Sequence, residues 1–359
     1  MRLTAGQTAY ISGQMKKVSR SFALVVSLLE EPLREQLATA YLICRVLDNI
    51  EDSGQPFAWQ EKRFDEFSAL LDEPRLAQET LRGWSQESWP GLTADERKLM
   101  ASDSGYPLWQ VYEQIPKLAR SSIRHWTSVM ASGMERINNP VQMPRFRHYR
   151  DVQLLETVDD YDRYCYYVAG TVGHLATELA IYHYQLEEKV AEKLLATCEA
   201  CGRGLQKTNI VKDFAKDLGR GISYLPEQWH QEVNYTPLVL AGASPNWSYK
   251  VVANVLSELQ VATDYVLALP SMARGYRLAS LMCLLPAYQT LLLGAREHQK
   301  MFTAEHRIKI SRLTMAKCLV DSRSMIADND AIRQYSQRLH SAVEDAFGNS
   351  NFTQQTAFI

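Results

Sequence analysis

The sequence predicts an all-α protein: one large helical domain over residues 1–347 and a polar tail at 348–359 that frays. Three observations carry that prediction. Glycine (17) and proline (13) are sparse in 359 residues, which suits long helices better than many turns. Apolar residues recur three and four apart in segment after segment, and no alternating run is long enough to build a sheet. The chain is 46% hydrophobic and 22% charged, the balance of a globular protein that buries a large core. Length alone would allow about two domains, but no stretch has the length or composition of a linker, and no repeat is visible.

In chain order, the segment from Met1 to Ser21 is polar and lacks the apolar run of a signal peptide, so export is not expected. Glu31-Pro32 opens a helix with proline in its first turn, continued at helical spacing by Leu37, Tyr41, Cys44 and Leu47. Thr93 with Glu96 makes a capping-box pattern before a helix towards Trp109, and Thr157 with Asp160 resembles another start before a long run to Tyr184. Helices are predicted over 187–218, 248–269, 278–299 and 304–325. Breaks are expected at Gly54-Gln55-Pro56, around Trp89-Pro90-Gly91, near Pro140 and Pro144, from Gly219 to Pro226, and at Ser244-Pro245. From Leu278 to Ala295 the chain carries no charge, close to the ~18 residues of a membrane helix. Ser280, Pro286, Tyr288 and Gln289 within it, and Arg277 and Arg296 at its ends, favour a buried, proline-kinked core helix.

Charge excludes one class of function. Lysine plus arginine (39) nearly balances aspartate plus glutamate (41), a net of −2, so bulk positive charge for nucleic acid is missing and any phosphate binding must be local. The cysteines (Cys44, Cys165, Cys198, Cys201, Cys283, Cys318) are scattered, as in a reducing compartment. The close pair Cys198 and Cys201 has no partner pair at zinc spacing and reads as two small helix residues.

Two acidic stripes are the informative feature. In YLICRVLDNIEDS, Tyr41, Arg45, Asp48 and Asp52 share a face at ~100° per residue, with Glu51 beside them, while Leu42, Ile43, Val46, Leu47 and Ile50 make the rest of the helix apolar. In LQKTNIVKDFAKDLGRG, Gln206, Asn209, Asp213 and Asp217 again share a face. Burying unpaired carboxylates is costly, so cations must answer them. Acid-only stripes suit a hard cation such as magnesium, which completes its shell with water and phosphate oxygens, better than zinc. Arg20 and Arg45 near the first stripe, and Lys207, Lys212 and Arg220 near the second, would supply the bases of a diphosphate site. Solvated ion-pair faces produce the same spacing, and finding both stripes inside otherwise apolar helices is what tips the balance. No EF-hand loop or P-loop is present.

At these residues the chain resembles the squalene and phytoene synthase family, nearest its squalene-forming members. Four blocks carry the match: SRSFALVVSLLEEPLREQLATAYLICRVLDNIEDS from Ser19, DRYCYYVAGTVGHL from Asp162, LQKTNIVKDFAKDLGRGISYLP from Leu205, and LMCLLPAYQ from Leu281. The resemblance implies a class I isoprenoid synthase fold, a single helical bundle around a central cavity. It implies magnesium ligation by Asp48, Glu51, Asp52, Asn209, Asp213 and Asp217, and catalytic roles for Tyr164, Tyr41 and Arg45. Ser19, Arg20, Ser21, Phe22, Gln206, Asn209, Lys212, Arg220, Ala169, Gly173, Met282, Cys283 and Pro286 correspond to substrate-binding positions.

The implied reaction joins two farnesyl diphosphates head to head through presqualene diphosphate, with roughly two to three magnesium ions and reduction by NADPH. The basic run Arg307, Lys309 and Arg312 lies where the family has a mobile basic segment and is expected to take the NADPH phosphate, without a Rossmann glycine motif. ISYLP after Gly221 looks more like phytoene and dehydrosqualene synthases, which dispense with NADPH, whereas QKTNI and LMCLLP argue the other way. A non-catalytic helical protein that binds prenyl diphosphates is a further alternative. The sequence ends without the carboxy-terminal anchor of eukaryotic relatives, so a cytoplasmic enzyme is expected, touching a membrane surface to release product and binding no nucleic acid.

Overall fold

Helices account for 78% of the chain in the computed structural model, which describes residues 3–139, 146–149, 152–231, 244–303 and 305–348. The all-α expectation holds. The helices are α1 (Ala5–Val18), α2 (Arg20–Val26), α3 (Leu33–Glu51), α4 (Phe57–Asp72), α5 (Ala77–Trp84), α6 (Ala94–Arg97), α7 (Ser102–Gln114), α8 (Lys117–Asn138), α9 (Val158–Cys165), α10 (Thr171–Tyr184), α11 (Glu188–Leu195), α12 (Cys198–Leu218), α13 (Glu227–Gln231), α14 (Pro245–Ala268), α15 (Arg274–Arg296), α16 (Arg312–Met325) and α17 (Asn329–Ala346). Contacts divide the chain into two compact units, one of residues 1–144 with 171–191 and the other of 145–170 with 192–359.

In the first unit, α3 packs against α1, α8 and α10. Leu33, Leu42, Ile43, Val46, Leu47 and Ile50 are fully buried, as their helical spacing requires. Pro32 sits just before the helix as its cap residue instead of within the first turn. Its far end is held by the predicted Trp89-Pro90-Gly91 break. Gly91 donates from its N–H to the Ser53 carbonyl (2.9 Å), and a Cβ at Gly91 would lie 1.9 Å from the Asp52 carbonyl oxygen. The Thr93–Glu96 capping box forms, but it starts only the short α6; a 3₁₀ turn (Lys98–Met100) and an extended Ala101 precede α7.

In the second unit, α12, α14, α15 and α17 pack together. α15 is the charge-poor helix. It is long and apolar enough to cross a membrane, but 72% of that window is buried within the protein, so it serves as a core helix with Pro286 inside it. The Thr157–Asp160 capping box starts α9, and the run to Tyr184 is interrupted by a π-turn over Tyr166–Gly170. The predicted helix over 187–218 is two helices, with Thr197 between them. The one predicted from 304 begins at Arg312: Ser311 caps it by accepting from the Thr314 N–H (3.0 Å), and Ile308 is buried in the extended segment before it.

The absence of a sheet needs correction. β1 (Phe146–Tyr149), β2 (Val152–Leu155) and β3 (Ile222–Ser223) form a three-stranded sheet, β1 antiparallel and β3 parallel to β2. Strands of four, four and two residues are too short for a period of two to show in the sequence. Gly221, at φ 80°, makes the turn from α12 into β3, and its carbonyl accepts from the Gln153 N–H (2.8 Å). The breaks near Pro140 and Pro144 and the tail beyond residue 348 lie outside the described residues.

Candidate active site

The first unit assembles the first stripe with the block from Ser19. Ser19 caps α2 by accepting from the Phe22 N–H (3.2 Å), which fixes the block's direction; Arg20 and Ser21 are exposed. Phe22 packs on Tyr41 with ring centroids 5.1 Å apart. Arg45 donates to the Tyr41 hydroxyl (3.2 Å), lies 5.9 Å from the centre of that ring, and pairs with Asp48 at 3.5 Å. Phe22, Tyr41, Arg45 and Asp48 thus form one chain of contacts along two helices.

Charge is unbalanced here. Desolvation outweighs what Arg45 returns and, with smaller repulsion from Asp52 and Glu96, raises the Asp48 carboxyl to about 6. Desolvation with Asp52 and Asp48 beside it raises Glu51 to about 8, only partly offset by the Asn138 amide. Yet Asp48 keeps 28% of its side-chain surface accessible and Asp52 is exposed, so these acids stay partly open to solvent instead of being sealed in. Glu96 and Asn138 are residues that sequence reasoning missed. Glu96 was visible only as a cap, and its main-chain oxygen accepts from Asn49 of α3 (3.2 Å). Gly173 is half-buried on α10, which packs on α3.

The second unit carries the second stripe on α12. Gln206, Asp213 and Asp217 are half-buried, Asn209 and Arg220 exposed, and Lys212 pairs with Asp213 at 3.0 Å. Tyr164 is 5% exposed and stacks on Tyr224, with centroids 4.5 Å apart and planes 19° from parallel. The sheet makes that stack possible, because β3 leads into Tyr224 and β2 precedes α9. Ala169 lies in the π-turn with its carbonyl against Gly202, where a Cβ would stand 1.9 Å away. Lys207 departs from the expected diphosphate role: it is 1% exposed and bound to Asp162 (2.7 Å) and Glu258 (2.9 Å).

On α15, Met282 and Pro286 are buried and Cys283 is half-buried, its thiol pushed up to about 12 by desolvation. Met282 accepts a contact from the Ser322 hydroxyl at 3.8 Å, so its sulfur faces α16. Arg307, Lys309 and Arg312 are all exposed, around the buried Ile308. Among the described residues, no three His, Cys, Asp or Glu side chains converge closely enough to hold an ion by themselves. Cys198 is buried in the first turn of α12, and the Cys198 and Cys201 thiols donate to the Leu195 and Thr197 carbonyls (3.4 and 3.7 Å). The acidic stripes fit a cation that draws much of its shell from water and phosphate, and under-neutralised carboxylates at Asp48 and Glu51 are what such a cation would relieve.

The family model described as squalene/phytoene synthase matches residues 15–314. The chain belongs to that family. It is therefore an enzyme of the prenyltransferase class. Squalene synthase ERG9 of Candida albicans is 26% identical over 340 residues, which cover 91% of this chain and 70% of the relative. Squalene synthase 1 of Arabidopsis thaliana is 25% identical over 349 residues, 94% and 77% of the two chains. Among solved structures, the complex of TcSQS with the ligand BPH1237 superposes with a TM-score of 0.76 at 23% identity, covering 96% of this chain and 97% of the other. A dehydrosqualene synthase with bound ligand superposes with a TM-score of 0.58 at 19% identity, over 89% and 96%. The fold of this family member is thus the all-α isoprenoid synthase fold.

Proposed function

We propose that the chain condenses two farnesyl diphosphates head to head, through presqualene diphosphate, to squalene, with magnesium and NADPH. The observation that carries this reading is the first stripe: Asp48 and Glu51, raised to about 6 and about 8, lie under-neutralised and partly open to solvent on the helix that carries Tyr41 and Arg45. The squalene synthases it resembles span more than nine tenths of the chain, which supports the choice of reaction.

In this reading Asp48, Glu51 and Asp52 of one stripe, and Asn209, Asp213 and Asp217 of the other, would hold magnesium. When bound, the metal supplies Lewis-acid charge that eases departure of diphosphate. Arg45, fixed by Tyr41 and Asp48, presents its remaining N–H groups to a phosphate oxygen, with Arg20, Lys212 and Arg220 as further bases. Phe22, Tyr41 and Tyr164 present aromatic faces to passing allylic cations and exclude water from them. Tyr164, held flat against Tyr224, is the candidate to guide the proton lost on cyclopropane closure. Arg307, Lys309 and Arg312 would take the phosphate of NADPH, which supplies the final hydride. The product is a hydrocarbon made from charged substrates, which is why we place the enzyme in the cytoplasm with release at a membrane surface.

Incubation with farnesyl diphosphate and magnesium, with and without NADPH, followed by product mass, tests the proposal. Squalene that forms only with NADPH is expected. A desaturated C30 product in both tubes would select the dehydrosqualene reaction, which the ISYLP segment favours.

A further inference from the structure

We infer that Lys207 is a positioning residue: from the interior face of α12 it holds Asp162, and with it the turn of α9 that presents Tyr164. The inference rests on the proposed role of Tyr164. On α12, Lys207 and Asn209 point ~200° apart, so the helix leaves Asn209 exposed with the stripe of Asp213 and Asp217 and turns Lys207 into the protein.

The geometry of that inner face is a relay. Glu258 of α14 is clamped by Arg203, whose Nε lies 3.0 Å from one carboxylate oxygen while Nη2 donates to the other at 3.1 Å. Arg203 also pairs with Glu199 (2.9 Å). Lys207 donates to the clamped Glu258 (2.9 Å) and pairs with Asp162 (2.7 Å), its ammonium 5.3 Å from the centre of the Tyr161 ring. Glu258 is 8% exposed at its side chain and Asp162 is 37% exposed, so the relay runs from a fixed anchor to a looser end. That end is two residues from Tyr164.

Tyr164 needs such a hold because the π-turn begins two residues later. An interrupted α-helical hydrogen-bond ladder leaves the last turn of α9 less constrained than a continuous helix would. Two contacts along the same face restrain it, Lys207 on Asp162 and Gly202 against the Ala169 carbonyl. The Tyr224 stack fixes the ring plane, and the Lys207–Asp162 pair fixes the backbone beneath it.

The test uses Asp162→Asn in the full chain, since Lys207→Met would remove the cation between Asp162 and the buried Glu258 and endanger folding. Tyrosines are replaced by 3-fluorotyrosine, and the Tyr164 line is assigned by its loss in Tyr164→Phe. Asp162→Asn is expected to split or broaden that ¹⁹F line and to lower kcat on farnesyl diphosphate about tenfold, with KM within about twofold and the melting temperature nearly unchanged. Asp162→Glu, which keeps the charge, is expected to restore a single line and most of kcat. A single sharp Tyr164 line in Asp162→Asn, or a loss of rate that only follows loss of folded protein, overturns the inference. If the wild type forms no product from farnesyl diphosphate, the proposed reaction fails while the ¹⁹F line still decides the positioning role.

Discussion

Glu51 shows how a single residue can serve the reaction at the expense of the fold. Its carboxyl ionises at about 8 in the folded protein against about 4.5 when free, so at neutral pH folding must take up a proton there to avoid an unwelcome charge, at a cost in stability. Glu51→Gln removes that charge at nearly constant volume. In metal-free protein at pH 8 it is expected to stabilise by about 1–2 kcal/mol, discounted for the partial exposure of Glu51, while turnover falls more than about hundredfold. Urea melts beside a product assay check both halves, and a variant that is destabilised or fully active would contradict the reading. Asp213→Asn is expected to lower turnover with little change in stability, because its charge is already paired with Lys212. Face and spacing were readable at this scale; burial was not. Lys207, Lys212 and Arg220 look alike as bases near a stripe, and what separates Lys207 is Glu258, 51 positions away on another helix.

At the scale of elements, α3, α14 and α15 were legible from apolar periodicity, α4, α8 and α17 were not singled out although they are long, and other helices were misplaced where a local contact overrode the pattern. Residues before Arg312 continue a helical pattern, yet Ile308 buries itself against Gly294, where a Cβ would lie 2.9 Å from the Ile308 Cδ1, and the helix waits for the Ser311 cap. The sheet escaped notice because its strands are shorter than the window in which alternation can be counted, although it is what brings Tyr224 to Tyr164. Close approach of α12 to the π-turn yields a sharp prediction. Gly202→Ala places a methyl 1.9 Å from the Ala169 carbonyl, so backbone must shift, at a cost of about 2–4 kcal/mol. Gly13→Ala, in the middle of α1 with nothing within 4 Å of the new atom, is expected to stabilise by about 0.5–1 kcal/mol. Paired thermal melts decide it: equal effects at the two glycines would remove the close-contact argument.

For the molecule as a whole, near-neutral net charge conceals groups whose titrations oppose each other. Glu51 and Asp48 bind protons more tightly folded than unfolded, so protonating them as pH falls stabilises the fold. His230 works the other way. It is 1% exposed beside Trp247, and burial lowers it to about 4 from an ordinary 6.5. Between those values the unfolded chain holds a proton that the folded chain does not. The stability from keeping His230 neutral is therefore complete above pH 6.5 and is lost as pH falls towards 4. Replacing the ring by one that cannot titrate isolates the effect. Relative to His230→Phe, the wild type is expected to lose about 2 kcal/mol of unfolding free energy between pH 7 and pH 5. Because Glu51 and Asp48 are common to both proteins, their opposite contribution cancels in the difference. Urea titrations of both proteins at several pH values measure it, and a difference independent of pH would show that His230 does not remain neutral in the fold.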